Sequence, residues 1–444
     1  VSERPLRLLV TAYRGNMQCG GQGVYLWFLA RELAGLGHEV TVLVGPPVPD
    51  PMPFAREVHE IPDDRFWGKW FVRDRAAFIP ASNPLGVLSP LRFWELGASR
   101  IGFFPEPFAF SARAFREVAR RLRGGARFDL VHDVQCLGWG LLGVRALGLP
   151  AVATVHHPLT VDRRASFRRD RTLREAIGTA EFHPVGMQAF VARRMDRIIT
   201  SSHASARTLQ RDFGVRPGRL RMLGNGLDTD LFAPDAGVAR EPATLLCVGR
   251  ASDPNKGVTV AVEALAKLPP PTRLVLVDED HPGHEGRRLA GRLGVGDRLH
   301  VTGRIGVEEL VGLYRRATLG VVPSFYEGFG LPAVEAMACG TPVVAAASGA
   351  LPEVVETCGG GLLVERGDPD ALARGIAALL LDPERRRLLG AEARARVVAA
   401  YSWGGIARRT VEVYRELLAE RRGRPARTTT SAQSGTRPAR ASSA

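Results

Sequence analysis

Lysine is almost missing from this chain. Of 60 basic residues only Lys69, Lys256 and Lys267 are lysines, and the remainder are arginine. Together with the abundance of Ala and Gly, this bias points to a GC-rich genome and a bacterial origin. Long apolar runs are missing too: no stretch approaches the 18 or so residues a membrane-spanning helix needs, and the opening VSERPLRLLV lacks a signal-peptide pattern. The expectation is a cytoplasmic chain, at most peripheral at the inner face of the plasma membrane. The five cysteines (Cys19, Cys136, Cys247, Cys339, Cys358) are scattered, odd in number and without metal-ligand spacing. That excludes a disulfide framework and argues for reduced, mostly buried thiols. Acidic residues are in deficit, giving a net charge of +14. Six of the arginines lie in the tail from Arg421 to Ala444, which has no acid, so about +8 belongs to the rest. A basic chain can favour nucleic acid or anionic lipid, but no zinc finger or aromatic RNP-type strand is present, and no nucleic-acid partner is expected.

What is present is ordinary globular material, 45% apolar and 24% charged. At 444 residues it exceeds what one hydrophobic core spans, so two domains are expected. Leu6 to Thr11 is a short apolar run of the buried parallel-strand type. A helical pattern follows from Gly23 to Leu36, then a strand at Glu39 to Val44, making a βαβ unit. Further strands are predicted at Leu130–His132, Ala151–Val155 and Arg197–Ser201. Between roughly 50 and 110 the text turns Pro- and aromatic-rich, as in FWGKWF (Phe66 to Phe71), and reads as an elaborated loop region. After a link near 233–242, strands are predicted at Thr244–Val248, Arg273–Val277, His300–Thr302, Leu319–Val322 and Val343–Ala346. The fold class is therefore α/β with two Rossmann-like domains facing each other across a cleft. The predicted units are residues 1–235, residues 236–400, a final helix over 401–420, and a disordered basic tail over 421–444.

The most informative stretch is Pro323 to Val344, PSFYEGFGLPAVEAMACGTPVV. It reads as a strand end, a glycine loop, a helix from Ala333 to Ala338 with Pro332 at its start, and a new strand. Glu327 lies in the loop, and Glu335 is expected in the first helical turn. A loop that feeds a helix exposes unpaired N–H groups and the positive end of the helix dipole, which suits phosphate oxygens. Carboxylates beside such a site accept hydrogen bonds from hydroxyls, and sugars are rich in hydroxyls. On spacing alone, Glu335 complementing the dipole and Glu327 facing solvent would explain the pair. A second basic motif lies upstream: Cys247-Val-Gly-Arg250 ends a strand, and Lys256-Gly257 follows on the same loop. Two cations there could clamp a diphosphate, Arg as a planar fork and Lys as a point charge.

EGFGLPxxEAMAxGTPVV, V-G-R-x5-K-G and the ungapped GGQGVYLWFLARELAGLGHEVTVL together resemble the GT-B glycosyltransferases of family 4, which are retaining enzymes that use nucleotide-sugars. The resemblance covers roughly residues 6 to 415 and is thin between 45 and 150. It implies that Glu327 contacts the donor sugar, that Glu335 binds the nucleotide ribose, and that Arg250 and Lys256 hold the donor diphosphate and stabilise its leaving charge. Gly328, Phe329, Gly330 and Leu331 join the donor site by the same likeness. Gly20, Gly21 and Gly23 would let the backbone approach the donor phosphate and the acceptor; GxGxxG they do not form, since Leu26 stands where a third glycine would be. The family's Thr-x-His places His156 beside acceptor and sugar, and gives the neighbouring His157 no duty. By the same likeness the catalytic set is Glu327, His156, Arg250 and Lys256.

Two features depart from the family. Asp278-Glu-Asp280 stands where a glycine-rich turn is usual, and Ala350 replaces one of two glycines before Pro352-Glu353. Asp228-Thr-Asp230 and the Asp278 triplet could be DxD metal motifs in a single-domain transferase. Here Arg250, Lys256 and the helix end can supply the counter-charge, so no metal and no cofactor are expected. The basic run Ser111–Arg127, near several aromatics, is either a solvated helix or a contact for an anionic membrane. The implied activity is a retaining hexosyltransferase acting from a nucleoside-diphosphate sugar onto a glycan, lipid or small-molecule acceptor. The alternatives are a sugar-nucleotide epimerase of the same fold and a non-catalytic nucleotide-sugar or membrane-binding protein. A phosphorylase would need a pyridoxal-phosphate lysine, which the three lysines scarcely provide.

Overall fold

Short runs of Val, Leu and Ile without polar alternation suit strands buried on both faces, and such runs form the centres of two all-parallel sheets. The computed structural model describes residues 4–17, 21–62, 89–100, 105–156, 158–167, 172, 179 and 185–423. Gly20, His157, Cys19, the FWGKWF stretch and the tail from 424 onward lie outside the described residues.

The first sheet holds β1 (Arg7–Ala12), β2 (Glu39–Val44), β3 (Glu57–Glu60), β4 (Leu130–Val134), β5 (Ala151–Val155), β6 (Arg197–Thr200) and β7 (Leu220–Met222). Their spatial order is β3-β2-β1-β4-β5-β6-β7. The second sheet holds β8 (Thr244–Val248), β9 (Arg273–Val277), β10 (Leu299–Val301), β11 (Leu319–Val322), β12 (Val343–Ala346) and β13 (Gly361–Val364), in the order β10-β9-β8-β11-β12-β13. In each sheet the strand order reverses beside the first strand, between β1 and β4 and between β8 and β11. The loops leaving two such strands diverge to opposite faces and open a crevice at their carboxyl ends, where ligands of open α/β sheets bind.

Each sheet is covered on both faces, which gives four apolar clusters. The last helix, Trp403–Arg422, follows a helix at Pro383–Tyr401 that packs on the second sheet. It then crosses to the first: Trp403, Ile406, Tyr414 and Leu417 share a core with Leu8, Tyr25 and Leu29. Trp403 stacks on Phe28, with ring centroids 5.4 Å apart, and Tyr414 hydrogen-bonds His132. The crossover is fastened at the joint by Leu227 N donating to Tyr401 O at 2.7 Å.

Helix Glu106–Arg123 contains most of the basic run considered for membrane contact. Phe110, Ala114 and Val118 face the core. Arg120 and Arg121 pair with Glu117, Arg121 also with Glu57, and Arg113 with Glu95. Much of its charge is thus spent within the protein. Among the described residues no helix is long and apolar enough to cross a membrane. Cys136, Cys247, Cys339 and Cys358 are buried free thiols.

Candidate active site

Two neighbouring strands of the second sheet, β8 and β11, deliver the basic and the acidic residues to one place. Leu319 pairs with Leu245 and Gly320 with Leu246, so the loop after Val248 and the loop after Val322 emerge side by side. Phe325 N donates to Asn255 O at 2.7 Å and ties the loops together. Lys256 Nζ lies 2.8 Å from Glu327 Oε1, which also accepts from Ser324 Oγ at 2.9 Å. Glu327 is 8% exposed; a carboxylate that buried requires such partners, because an unpaired charge there would be costly. Gly257 makes the turn possible. Its φ is +63°, and a Cβ would sit 2.2 Å from Pro323 O, so the Lys-Gly order of the motif is a steric requirement.

Arg250 is exposed at the carboxyl end of β8 and makes no ion pair among the described residues. Its loop is held from below by the acidic triplet that departed from the family pattern. Asp278, just after β9, accepts from Ala251 N at 2.7 Å and from Glu279 N at 2.8 Å, and its Oδ2 lies 2.9 Å from Nε2 of the buried His284. Glu279 and Asp280 pair with Arg304 and Arg287. Asp228 is equally committed, accepting from Asp230 N and Leu231 N as a turn-forming residue. Among the described residues no group of three His, Cys, Asp or Glu side chains is placed to hold a metal ion.

The helix after the glycine loop spans Leu331–Ala338, with Gly330 preceding it and Pro332 in its first turn. Glu335 is therefore in the second turn, a correction to the expected first-turn position, and dipole compensation does not account for it. It is half-buried, and its Oε2 accepts from Tyr314 Oη at 2.8 Å. Desolvation raises its carboxyl to about 7, against the lowering influence of the Tyr314 hydrogen bond and of Lys256, while Glu327 adds to the rise. Phe329, expected among the donor-binding residues, puts its ring into the core against Tyr401, at 5.1 Å and nearly perpendicular. Its side chain is thus committed to packing, and Leu331 also packs against that core.

The first sheet contributes His156, at the end of β5. Its Nδ1–H donates to Asn225 Oδ1 at 2.9 Å, its backbone N donates to Gln135 Oε1 at 3.0 Å, and Tyr25 meets its ring edge-on at 4.7 Å. Gln135 and Leu137 have φ of 56° and 50°, unusual for residues with a Cβ. Asp133 pins this turn by accepting from Leu137 N at 2.9 Å and from Thr11 Oγ1 at 2.9 Å. Gly21 opens helix Gly21–Gly35. Gly23 is buried, and a Cβ there would fall 2.2 Å from Asn16 O. This glycine lets the helix approach the loop after β1, which is packing at the crevice.

The crevice is closed by direct contacts between its walls. Gly328 O receives the hydroxyls of Ser201, Ser202 and Ser205 at 3.1, 2.7 and 3.1 Å. Ser201 and Ser205 also reach His156 O, at 2.9 and 3.2 Å. The His156 and Glu327 segments are thereby brought within one hydroxyl of each other. Glu353 accepts from His203 N at 2.9 Å and Ala204 N at 3.3 Å, capping from the opposite unit the helix His203–Phe213. Ala350 N donates to Glu327 O at 3.0 Å, so the loop with one glycine fewer supports the Glu327 loop. Gln135, Asn225, Tyr314, Glu353 and the three serines were not picked out as site residues. Local signals were Ser202-x-x-Ser205, an N-cap pattern, and the Pro352-Glu353 pair noted beside Ala350.

The chain matches the model for glycosyl transferases group 1 over residues 228–396 and that for glycosyltransferase family 4 over 88–231. An MMP alpha-(1->4)-mannosyltransferase of Mycolicibacterium hassiacum is 40% identical, with 93% of this chain and 99% of that protein covered. A D-inositol 3-phosphate glycosyltransferase of Acidothermus cellulolyticus is 33% identical, with 92% and 88% covered. Among solved structures, sucrose-phosphate synthase of Thermosynechococcus elongatus superposes with a TM-score of 0.67 at 26% identity, covering 93% of this chain and 100% of that one. Anabaena HepE in complex with UDP-glucose gives 0.64 at 20% identity over 93% and 100%, a likeness of fold.

Proposed function

The chain belongs to the group 1 glycosyltransferases of family 4, with the two-domain GT-B architecture, and from that premise we propose a hexosyl transfer that retains anomeric configuration. The observation that carries the reading is the Lys256–Glu327 pair, set beside an exposed Arg250 at the adjacent ends of β8 and β11. An anion-binding cation and a hydroxyl-accepting carboxylate stand in contact there, as a sugar joined to a diphosphate requires. Arg250, Lys256 and the start of helix Leu331–Ala338 bind and neutralise the diphosphate, most of all as charge builds on it in the transition state. Glu327 orients the sugar hydroxyls and Glu335 accepts from the ribose hydroxyls. His156, whose Nδ1–H is directed to Asn225, positions the acceptor or the sugar. The bond from the anomeric carbon to the phosphate oxygen breaks. The acceptor oxygen bonds to that carbon on the same face, and its proton passes to the departing phosphate oxygen. The counter-charge comes from the protein's own cations, without metal or cofactor. The contacts across Gly328 and Glu353 exclude water from the reacting sugar.

The 40% identity to a mannosyltransferase over nearly its whole length makes a mannosyl donor the first to test. The acceptor is a glycan, lipid or small molecule taken up in the cytoplasm. The experiment is a panel of nucleoside-diphosphate hexoses with soluble and lipid acceptors, and product configuration read by NMR. An inverted anomeric centre would refute retention. Donor turnover to an epimer without any acceptor would refute transfer. Full activity in both Lys256→Ala and Glu327→Ala would refute the assigned site.

A further inference from the structure

The amino edge of the first sheet, opposite the edge that carries His156, has a second charged site. Arg193 and Arg194 lie just before β6, Arg216 and Arg219 just before β7, and Arg145 comes from helix Gly140–Ala146. With Phe190 they line a cavity of about 540 Å³. That volume is within the range of small-molecule sites.

Carboxylates near the cavity are already taken. Asp196 binds Arg145 at 2.9 Å and Arg421 at 3.1 Å and also accepts from Ala151 N at 2.9 Å. Glu420 is bound by Arg197. Arg193, Arg194, Arg216 and Arg219 make no ion pair among the described residues. Four arginines therefore line one cavity without a carboxylate paired to any of them, and two are held in place. Arg219 donates to the carbonyls of Arg193 and Met195 at 2.5 and 3.1 Å. Arg194 lies 3.5 Å over the Phe190 ring, which itself stacks on Trp139. Burial, then Arg216 and Arg145, lower the proton affinity of Arg219, with Asp196 opposing them only in part, so like charge predominates around it and an anion would relieve it.

We propose that this cavity is an anion site, separate from the donor crevice, for a compact ligand bearing two or more phosphate groups. Converging guanidinium forks match phosphate oxygens bidentately, and several fixed cations favour clustered phosphates over a single carboxylate. The ligand is either a soluble phosphate ester or the headgroup of a phosphorylated lipid. The proposal does not depend on the assigned roles in the crevice.

The test uses the full chain and inorganic tripolyphosphate, titrated calorimetrically at low salt into wild type, Lys256→Ala and the double variant Arg193→Glu/Arg216→Glu. Both substituted arginines are exposed, so the fold should survive; the far-UV spectrum and the transfer activity of the double variant check this. Binding that persists in Lys256→Ala and weakens about tenfold or more in the double variant, roughly 1.4 kcal/mol, is expected. Parallel flotation on phosphatidylcholine vesicles with and without cardiolipin, whose headgroup carries two phosphates, separates the two sources. Tripolyphosphate binding without flotation assigns a soluble ligand, and flotation that the double variant loses assigns a headgroup. Equal binding by wild type and double variant in both arms, no binding in either, or binding abolished by Lys256→Ala would each overturn the proposal.

Discussion

Replacing Glu335 by Gln separates the folding cost of this carboxylate from its use. Its folded-state value of about 7, against an ordinary 4.5, means that the native protein binds its proton more tightly than the unfolded chain does. The sign follows by linkage: below pH 4.5 both states are protonated and the group contributes nothing, between 4.5 and 7 stability falls as pH rises, and above 7 the penalty is complete. The shift from 4.5 to about 7, at about 1.4 kcal/mol per unit, sets a ceiling of roughly 3 kcal/mol; partial access of the side chain to solvent reduces it. At pH 5 less than about 1 kcal/mol of this is present. Gln keeps an oxygen able to accept from Tyr314 Oη, so the hydrogen bond at 2.8 Å has a substitute. Glu335→Gln should therefore match wild type near pH 5 and exceed it by roughly 2 kcal/mol at pH 8, in urea unfolding followed by tryptophan fluorescence. The same variant should raise the KM for donor, because a neutral amide accepts a ribose hydroxyl more weakly than a carboxylate does. Parallel pH–stability curves for wild type and variant would refute the claim that this carboxyl is desolvated.

Lys256→Ala removes the cation of the Glu327 pair and one of the diphosphate ligands, so kcat should fall about a hundredfold to a thousandfold, with steady-state transfer as the measurement and a near-normal kcat as the contrary result. Asp278→Ala takes the acceptor from Ala251 N and His284 Nε2; with about 1–3 kcal/mol at stake, donor KM should rise about tenfold, and Asp278→Asn should recover part of it. If both variants bind donor normally, the Arg250 loop does not depend on Asp278. Glu353→Ala removes the carboxylate that accepts from His203 N and Ala204 N across the crevice, while Ser202 still caps that helix; the contact between the two units should weaken by about 1–2 kcal/mol, seen as a larger radius of gyration in small-angle scattering without ligand. An unchanged scattering profile would show that the serine contacts to Gly328 O suffice.

Central strands were readable because burial on both faces leaves nothing polar in them. TLLCV, RLVLV and LGVV coincide with β8, β9 and β11. Three of the four edge strands were not. EVHE is largely exposed and polar and LRM is three residues long, so neither shows the apolar run that marks an interior strand; GLLV is apolar but only half-buried. The fourth, β10 at Leu299–Val301, was predicted one residue late, at His300–Thr302. In the site, residues whose chemistry is local could be found by motif: a Gly with φ of +63° after Lys256, a helix start after Gly330. Residues that act by meeting a distant segment could not. Tyr314 reaches Glu335 across 21 positions, and Ser202 reaches Gly328 across 126. Nothing in the periodicity of either segment encodes the encounter; it follows from how the elements pack, Tyr314 and Glu335 lying on neighbouring helices of the second unit and Ser202 and Gly328 on facing loops of the two units. The Asp278 triplet shows the converse. Its composition suggested a metal motif, and only the position of Ala251 N revealed a loop anchor.

The charge of this protein is best understood by asking what each arginine faces. The net +14 suggests a strongly positive surface, yet many guanidinium groups serve as backbone clamps. Arg298 donates to the carbonyls of Leu265 and Leu268 at the end of helix Val258–Lys267, Arg240 to those of Ala317 and Gly340, and Arg394 to Phe232 O. A planar group with five donors can satisfy several orphan carbonyls at once, which an ammonium on a flexible stem does less well. Others are neutralised by carboxylates, as in the Arg121–Glu57–Glu117 cluster. The neutralised ones add to the formal charge but little to the field a ligand meets. A cation is available to an anion when it is exposed, fixed by its backbone and without a carboxylate. Arg250 meets those conditions at the crevice, and Arg193, Arg194 and Arg216 meet them at the opposite edge of the first sheet. Lys256 fails the last condition, because Glu327 holds it. A diphosphate must therefore share Lys256 with Glu327, and that sharing couples the hold on the phosphate to the orientation of the sugar.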